Sequence, residues 1–275
     1  MMKASFNPKD VSFKAKQTGG NSIMPKSKWM ALFLACFLVA PAFSQDDQTI
    51  TQVITFSVKT GMNVQFEEVV SAFREASRRQ GLDNYWLSAQ SVSGNPVYRF
   101  HVDQSAWGDL SNPGPQLAEV YGEEEAARLA GLLADSVASE HVAFFLEDAD
   151  GSYTSPAGSE EPPEGLVYID FTLNAGTAPM FLEMVRAQKV ASSALYPDES
   201  FGVSVADFGA SGPRTILVLQ SFSDLDRESL GVVERLFEHF GQEEGARLVE
   251  LASQSIASFE TTLFRTRPDL NYQPE

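Results

Sequence analysis

The sequence is short of the residues that most catalytic chemistry needs. Its 275 residues include one cysteine, Cys36, and three histidines, His101, His141 and His239. Histidines this far apart, with no cysteine near them, give no zinc-site spacing and no metal centre is expected. No Walker loop, no G-x-G-x-x-G after a strand, no G-x-S-x-G and no H-E-x-x-H occurs in the chain. The common phosphate-binding, dinucleotide-binding, serine-hydrolase and zincin machines are therefore excluded, and no cofactor is expected. Basic residues are also scarce: 20 lysines and arginines face 37 acids, a net charge of −17. Such a surface repels nucleic acid and anionic membranes, so neither is an expected partner.

Long apolar runs are missing too, except near the start. Lys26 and Lys28 precede "WMALFLACFLVA", and Ala42 and Ser44 follow at the −3 and −1 positions of a cleavage site. Basic, apolar and small residues in that order predict a secretory signal peptide over 1–44. The run is shorter than the roughly 20 residues that span a bilayer, so no stable membrane insertion is expected after cleavage. A signal starting at Met24 has a normal length, and residues 1–23 would then be an upstream extension. The expected location is the periplasm or the exterior. Cleavage removes six lysines and one aspartate and moves the net charge to −22. It also removes Cys36, so the mature chain has no disulfide or thiol chemistry.

The rest of the sequence is written twice. "ITFSVKTGMNVQFEEVVSAFREAS" from Ile54 answers "IDFTLNAGTAPMFLEMVRAQKVAS" from Ile169, and "GEEEAARLAGLLADSVASE" from Gly122 answers "GQEEGARLVELASQSIASFE" from Gly241. Internal self-similarity of this length predicts two repeats, 45–147 and 166–267. Between them, 148–165 is rich in Gly, Pro, Ser and acid and reads as a solvated linker; 268–275 reads as a frayed tail.

Each repeat gives the same element order. Residues 50–59 alternate apolar and polar, as a half-buried strand does; 63–79 carry Phe66, Val69, Val70 and Phe73 at helical spacing. Strands 85–92 and 97–103 flank the hairpin signal "SGNP", and helix 122–139 and strand 141–147 follow. The second repeat reads as strand 166–173, helix 178–192, strands 201–207 and 214–220, helices within 224–259 and strand 261–267. β-α-β-β-α-β is the ferredoxin-like unit, an antiparallel sheet covered by helices on one face. Two such sheets stacked face to face cover each other's bare side. The expected fold class is α+β: two tandem ferredoxin-like repeats packed as an intramolecular barrel. A chain that carries both halves needs no second copy, so a monomer is expected.

These halves, the hairpin after Trp86 with "SGNP", and the "WGDL" at Trp107 answered by "FSDL" at Phe222 resemble the dimeric α+β-barrel superfamily over roughly residues 50–267. That superfamily includes antibiotic-biosynthesis-type monooxygenases and haem-binding chlorite-dismutase relatives; this chain is more similar to the uncharacterised secreted members. The resemblance implies the fold and leaves the function open. Haem needs a proximal histidine, and none stands in an obvious family position.

The strand pattern assigns faces. Ile54, Phe56 and Val58 should pack under the helices, which turns Thr55 and Ser57 into the barrel; likewise Tyr168 and Asp170 should point inward. With Trp86, these four form a candidate ligand-binding set. Ordered water and hydrogen bonds between the halves account for a polar interior equally well. In "VYRFHVD", Arg99, His101 and Asp103 alternate with apolar residues and should also enter the barrel, whereas "RTILVLQ" in the second repeat has no such trio. They form the candidate catalytic set, with His101 as base and Arg99 stabilising developing negative charge. A structural histidine or an edge ion pair explains the same residues. Arg128 and Arg247 read as i,i+4 partners of Glu124 and Glu243 on solvated helix faces. The leading reading is a non-catalytic module that binds a small molecule or a protein partner. The alternative is a cofactor-independent monooxygenase with a polar site inside the barrel.

Overall fold

Alternating strands and amphipathic helices resolve into one closed antiparallel barrel with helices outside it. The structure, a computed structural model, describes residues 50–83, 85–104, 107, 114–156, 162–226 and 231–274. The expected signal peptide and its cut after Ser44 lie outside the described residues.

The first half runs β1 (Ile50–Val58), α1 (Asn63–Gln80), β2 (Leu87–Ser91), β3 (Val97–Gln104), α2 (Leu117–Tyr121), α3 (Glu123–Ser136) and β4 (Val137–Glu147). The second runs β5 (Gly165–Leu173), α4 (Ala178–Leu195), β6 (Ser200–Phe208), β7 (Arg214–Leu219), α5 (Val232–Ser255) and β8 (Ile256–Thr266). The strands close in the order β1-β3-β2-β8-β5-β7-β6-β4. Each half contributes four neighbouring strands, and the halves meet where β2 pairs with β8 and β4 pairs with β6. Closure removes the bare sheet edges that would otherwise invite aggregation.

The faces follow the period-two pattern. Phe56, Val58, Tyr98, Phe100 and Val102 pack with Phe66 and Val70 of α1 between sheet and helices. The matching layer of the second half holds Phe181, Met184, Val185, Phe201 and Val203. The opposite faces fill the barrel: Val53, Ala143 and Phe145 form one cluster, and Ala89, Tyr168 and Phe264 another.

The helices are laced to each other by the arginines of the repeated motif. Arg128 pairs with Glu125 and with Glu68 of α1, and Arg247 pairs with Glu244 and with Glu183 of α4. The partners are thus one residue on from Glu124 and Glu243, because the helix turns that face toward the neighbouring helix. The glycine that opens each motif has a backbone reason. Gly122 (φ 84°, ψ 162°) and Gly241 (φ 78°, ψ −179°) adopt a conformation that is essentially glycine's alone. At Gly122 it separates α2 from α3; at Gly241 it breaks α5 into two segments.

Three boundaries differ from the expected ones. Helix α3 ends at Ser136 and β4 starts at Val137, with no loop between them; α5 passes into β8 in the same way at Ser255 and Ile256. The C-terminal residues do not fray. Pro268–Leu270 form a 3-10 turn, Leu270 and Tyr272 are 2% and 4% exposed, and Trp86 Nε1 donates to the Leu270 carbonyl at 2.8 Å. The chain end thereby returns to the core of the first half. Part of the linker is also seated: Tyr153 bridges Phe201 on β6, and Ser155 is buried. Residues 157–161 of that linker lie outside the described residues.

Candidate functional site

Strand register brings the inward polar residues to one place. Thr55 on β1 stands opposite Arg99 on β3, and Val53 opposite His101. In the second half Asp170 on β5 stands opposite Arg214 on β7, and Tyr168 opposite Ile216. Arg99 and Arg214 therefore hold the same place in the two halves, 115 positions apart. Thr55 and Asp170 are the other matched pair, and here the halves differ.

The two arginines converge on the one carboxylate. Arg214 Nε donates to Asp170 Oδ1 at 2.5 Å, and Arg99 Nη2 donates to Asp170 Oδ2 at 3.0 Å. The second bond links the two halves of the chain. Arg99 lies over the rings of Tyr168 (4.5 Å) and Phe264 (4.8 Å), and Arg214 over Phe145 (4.3 Å) and Tyr168 (5.3 Å). Aromatic faces attract guanidinium ions, and more strongly where water is excluded. Arg214 is 6% exposed, and burial together with the charge of Arg99 lowers its pKa. Arg99 Nε and Nη1 and Arg214 Nη1 are buried and make no hydrogen bond.

His101 sits inside this ring of charge. Its Nε2 is 2.6 Å from the Tyr168 hydroxyl. Burial, and after it the charges of Arg214 and Arg99, push the imidazole pKa down to about 3. Burial likewise pushes the Tyr168 hydroxyl up to about 12. Both groups are neutral at neutral pH and share one hydrogen bond. An imidazole that resists protonation this strongly is a poor proton acceptor.

Of the expected residues, Arg99, His101, Tyr168 and Asp170 come together. Asp103 does not join them: it accepts a bond from Thr51 Oγ1 at 2.7 Å and another from the Tyr85 hydroxyl. The expected Arg99–His101–Asp103 trio is thus divided, and the partner of His101 comes from the other half. Thr55 faces the cluster between Arg99 and His141, and Ser57 lies farther along β1 between Val97 and Ser139. Trp86 is on the helix side of the sheet, against Tyr272 and Leu270, and is no part of the interior. Arg214 is a member of the cluster outside the expected set; the 115-residue offset of the repeat, which pairs Ile54 with Ile169, is the signal that places it on Arg99.

The aromatic side of this cluster is tightly enclosed, with Tyr168, Phe145 and Phe264 at most 1% exposed, while Thr55, Arg99, His101 and Asp170 are only partly buried. Two surface clefts, of about 660 and 400 Å³, lie elsewhere; Pro162, Pro163 and Arg265 line the first, and Arg78, Arg79 and Tyr272 the second. Among the described residues no group of three His, Cys, Asp or Glu gathers as a metal site, and no helix is long and apolar enough to cross a membrane. The nitrogen of His101 that could ligate a haem iron, Nε2, is engaged by Tyr168.

No protein-family model matches the chain, and no curated protein matches it. Solved structures do. A candidate monooxygenase from Fusobacterium nucleatum superposes with a TM-score of 0.50 at 8% identity, covering 81% of this chain and 94% of that one. A candidate monooxygenase from Lactobacillus acidophilus NCFM gives 0.49 at 11% identity, covering 83% and 97%. An anthrone oxidase-like protein gives 0.49 at 14% identity, covering 82% and 94%. At such identities the likeness is one of fold, that of the α+β barrels.

Proposed function

We propose that the protein is an exported, monomeric, non-catalytic α+β-barrel module that binds a small molecule or a protein partner. One observation carries the reading: the Nε2 of His101, which is partly buried, is already engaged by the Tyr168 hydroxyl at 2.6 Å. The polar interior then serves as an interlock, since Arg99 and Tyr168 of different halves meet there, and recognition falls to the outer surface. Native mass spectrometry of the protein isolated from its own cells tests this. The expected result is a non-covalent adduct or partner chain on a single copy, lost on denaturation. A bare chain, or a tight dimer, contradicts it. The denatured mass reports the cut after Ser44.

A second reading is favoured by the unpartnered N–H groups of Arg99 and Arg214. A cofactor-independent oxygenase needs such donors to hold a carbanionic substrate. Under that reading the arginines bind the oxyanion, His101 takes the proton, and Tyr168 moves to admit substrate.

A further inference from the structure

The duplicated half-sites are charged unequally. Each half supplies an arginine, but only the second supplies a carboxylate beside it; the first has Thr55 at that place. Arg99 turns away from Thr55 and reaches across to Asp170. Among the described residues the other groups near the pair form no ion pair with either arginine: His101 and Tyr168 bond to each other, Asp103 is held by Thr51 and Tyr85, and His141, opposite Thr55, and Glu260, opposite Asp170, are exposed. Two cations, Arg214 buried and Arg99 nearly so, therefore share one paired anion. A positive charge remains in a medium of low polarity, with three guanidinium nitrogens that make no hydrogen bond. Buried charges are normally paired and buried donors normally bonded, so the imbalance points to a missing acceptor of negative charge.

We propose that the arginine pair holds one small monovalent anion, a chloride or a carboxylate group, at the position beside Thr55 where a second Asp170 would stand. The side chain of Asp170 keeps 30% exposure and that of Arg99 12%, so the cluster has a solvent side through which an ion can exchange. An acidic protein is otherwise a poor host for anions, which makes saturable anion binding diagnostic. The inference goes beyond the proposed binding function, and its test does not depend on that function.

Chloride-35 NMR linewidths of the mature chain at pH 7 and constant ionic strength provide the test. Wild type should show saturable excess broadening that formate displaces. Displacement at formate concentrations well below that of chloride identifies a carboxylate as the preferred ligand; displacement only at comparable or higher concentrations identifies chloride. Arg214→Met should remove the broadening. Thr55→Asp should also remove it and raise the melting temperature measured without chloride, because the chain then supplies the second carboxylate itself. Wild type without saturable broadening overturns the proposal and leaves the donors to water. A Thr55→Asp protein that broadens chloride as wild type does, or that melts lower, overturns it as well, even if Arg214→Met fails to fold.

Discussion

Arg99 of β3 and Arg214 of β7 occupy equivalent positions in the two halves and meet at the same carboxylate, Asp170. The barrel is thus fastened at its centre by a charge cluster that neither half contains alone. Asp170 is its keystone in an energetic sense, since its removal leaves two buried guanidinium ions facing each other. Breaking a buried pair on one side costs about 3–5 kcal/mol. The 30% exposure of Asp170 places Asp170→Asn toward the low end of that range. Urea unfolding should show the loss, and an unchanged midpoint would remove the interlock.

The state of His101 makes stability depend on pH with a definite sign. Its pKa falls from 6.5 to about 3 on folding, so the unfolded chain binds the proton more readily. The associated stability is fully present above pH 6.5 and is lost as the pH drops toward 3, by up to about 1.4 kcal/mol per unit. Arg99, Arg214, Asp170 and Tyr168 face the imidazole and stay in place in a His101→Asn variant. The difference in unfolding free energy between wild type and that variant should therefore fall as the pH is lowered from 6.5 to 4. A difference independent of pH would mean that His101 is protonated in the fold.

Much of this arrangement was legible in the sequence, and the parts that were not share a cause. Strand faces follow from a period of two, so Phe56 under the helices and Arg99 and His101 inside needed only local alternation. The bond between His101 and Tyr168 joins residues of different halves, and no local pattern carries it. Arg214 answers Arg99 only at the 115-residue offset set by Ile54 and Ile169, and the apolar run that follows it, "TILVL", does not by itself fix that register. The passage from α3 to β4 has no turn residue to mark it: Ser136 ends the helix and Val137 begins the strand. The tail was hidden because Leu270 and Tyr272 stand singly among polar residues, too short a stretch to show periodicity.

The tail gives the third prediction. Leu270 is 2% exposed beneath Trp86 and Tyr272, so Leu270→Ala leaves a cavity in the first core. Such truncations cost about 2–5 kcal/mol. Thermal unfolding should show a clear fall in melting temperature; a truly frayed tail would leave it unchanged.

The repeated glycines give the fourth. A Cβ at Gly122 or Gly241 would meet nothing within 4 Å, so any cost of substitution comes from the backbone alone. Alanine at either place should destabilise by about 1–3 kcal/mol. Equilibrium unfolding of the two single variants should give similar losses, and a neutral result at both would place the repeat's glycines outside any conformational need.

The most direct test of the proposal that the interior cluster is a lock and carries no catalysis is oxygen uptake with phenolic compounds able to form carbanions. The account predicts the same background rate for wild type, His101→Ala and buffer. Uptake by wild type that His101→Ala abolishes would contradict it and make the barrel interior an active site.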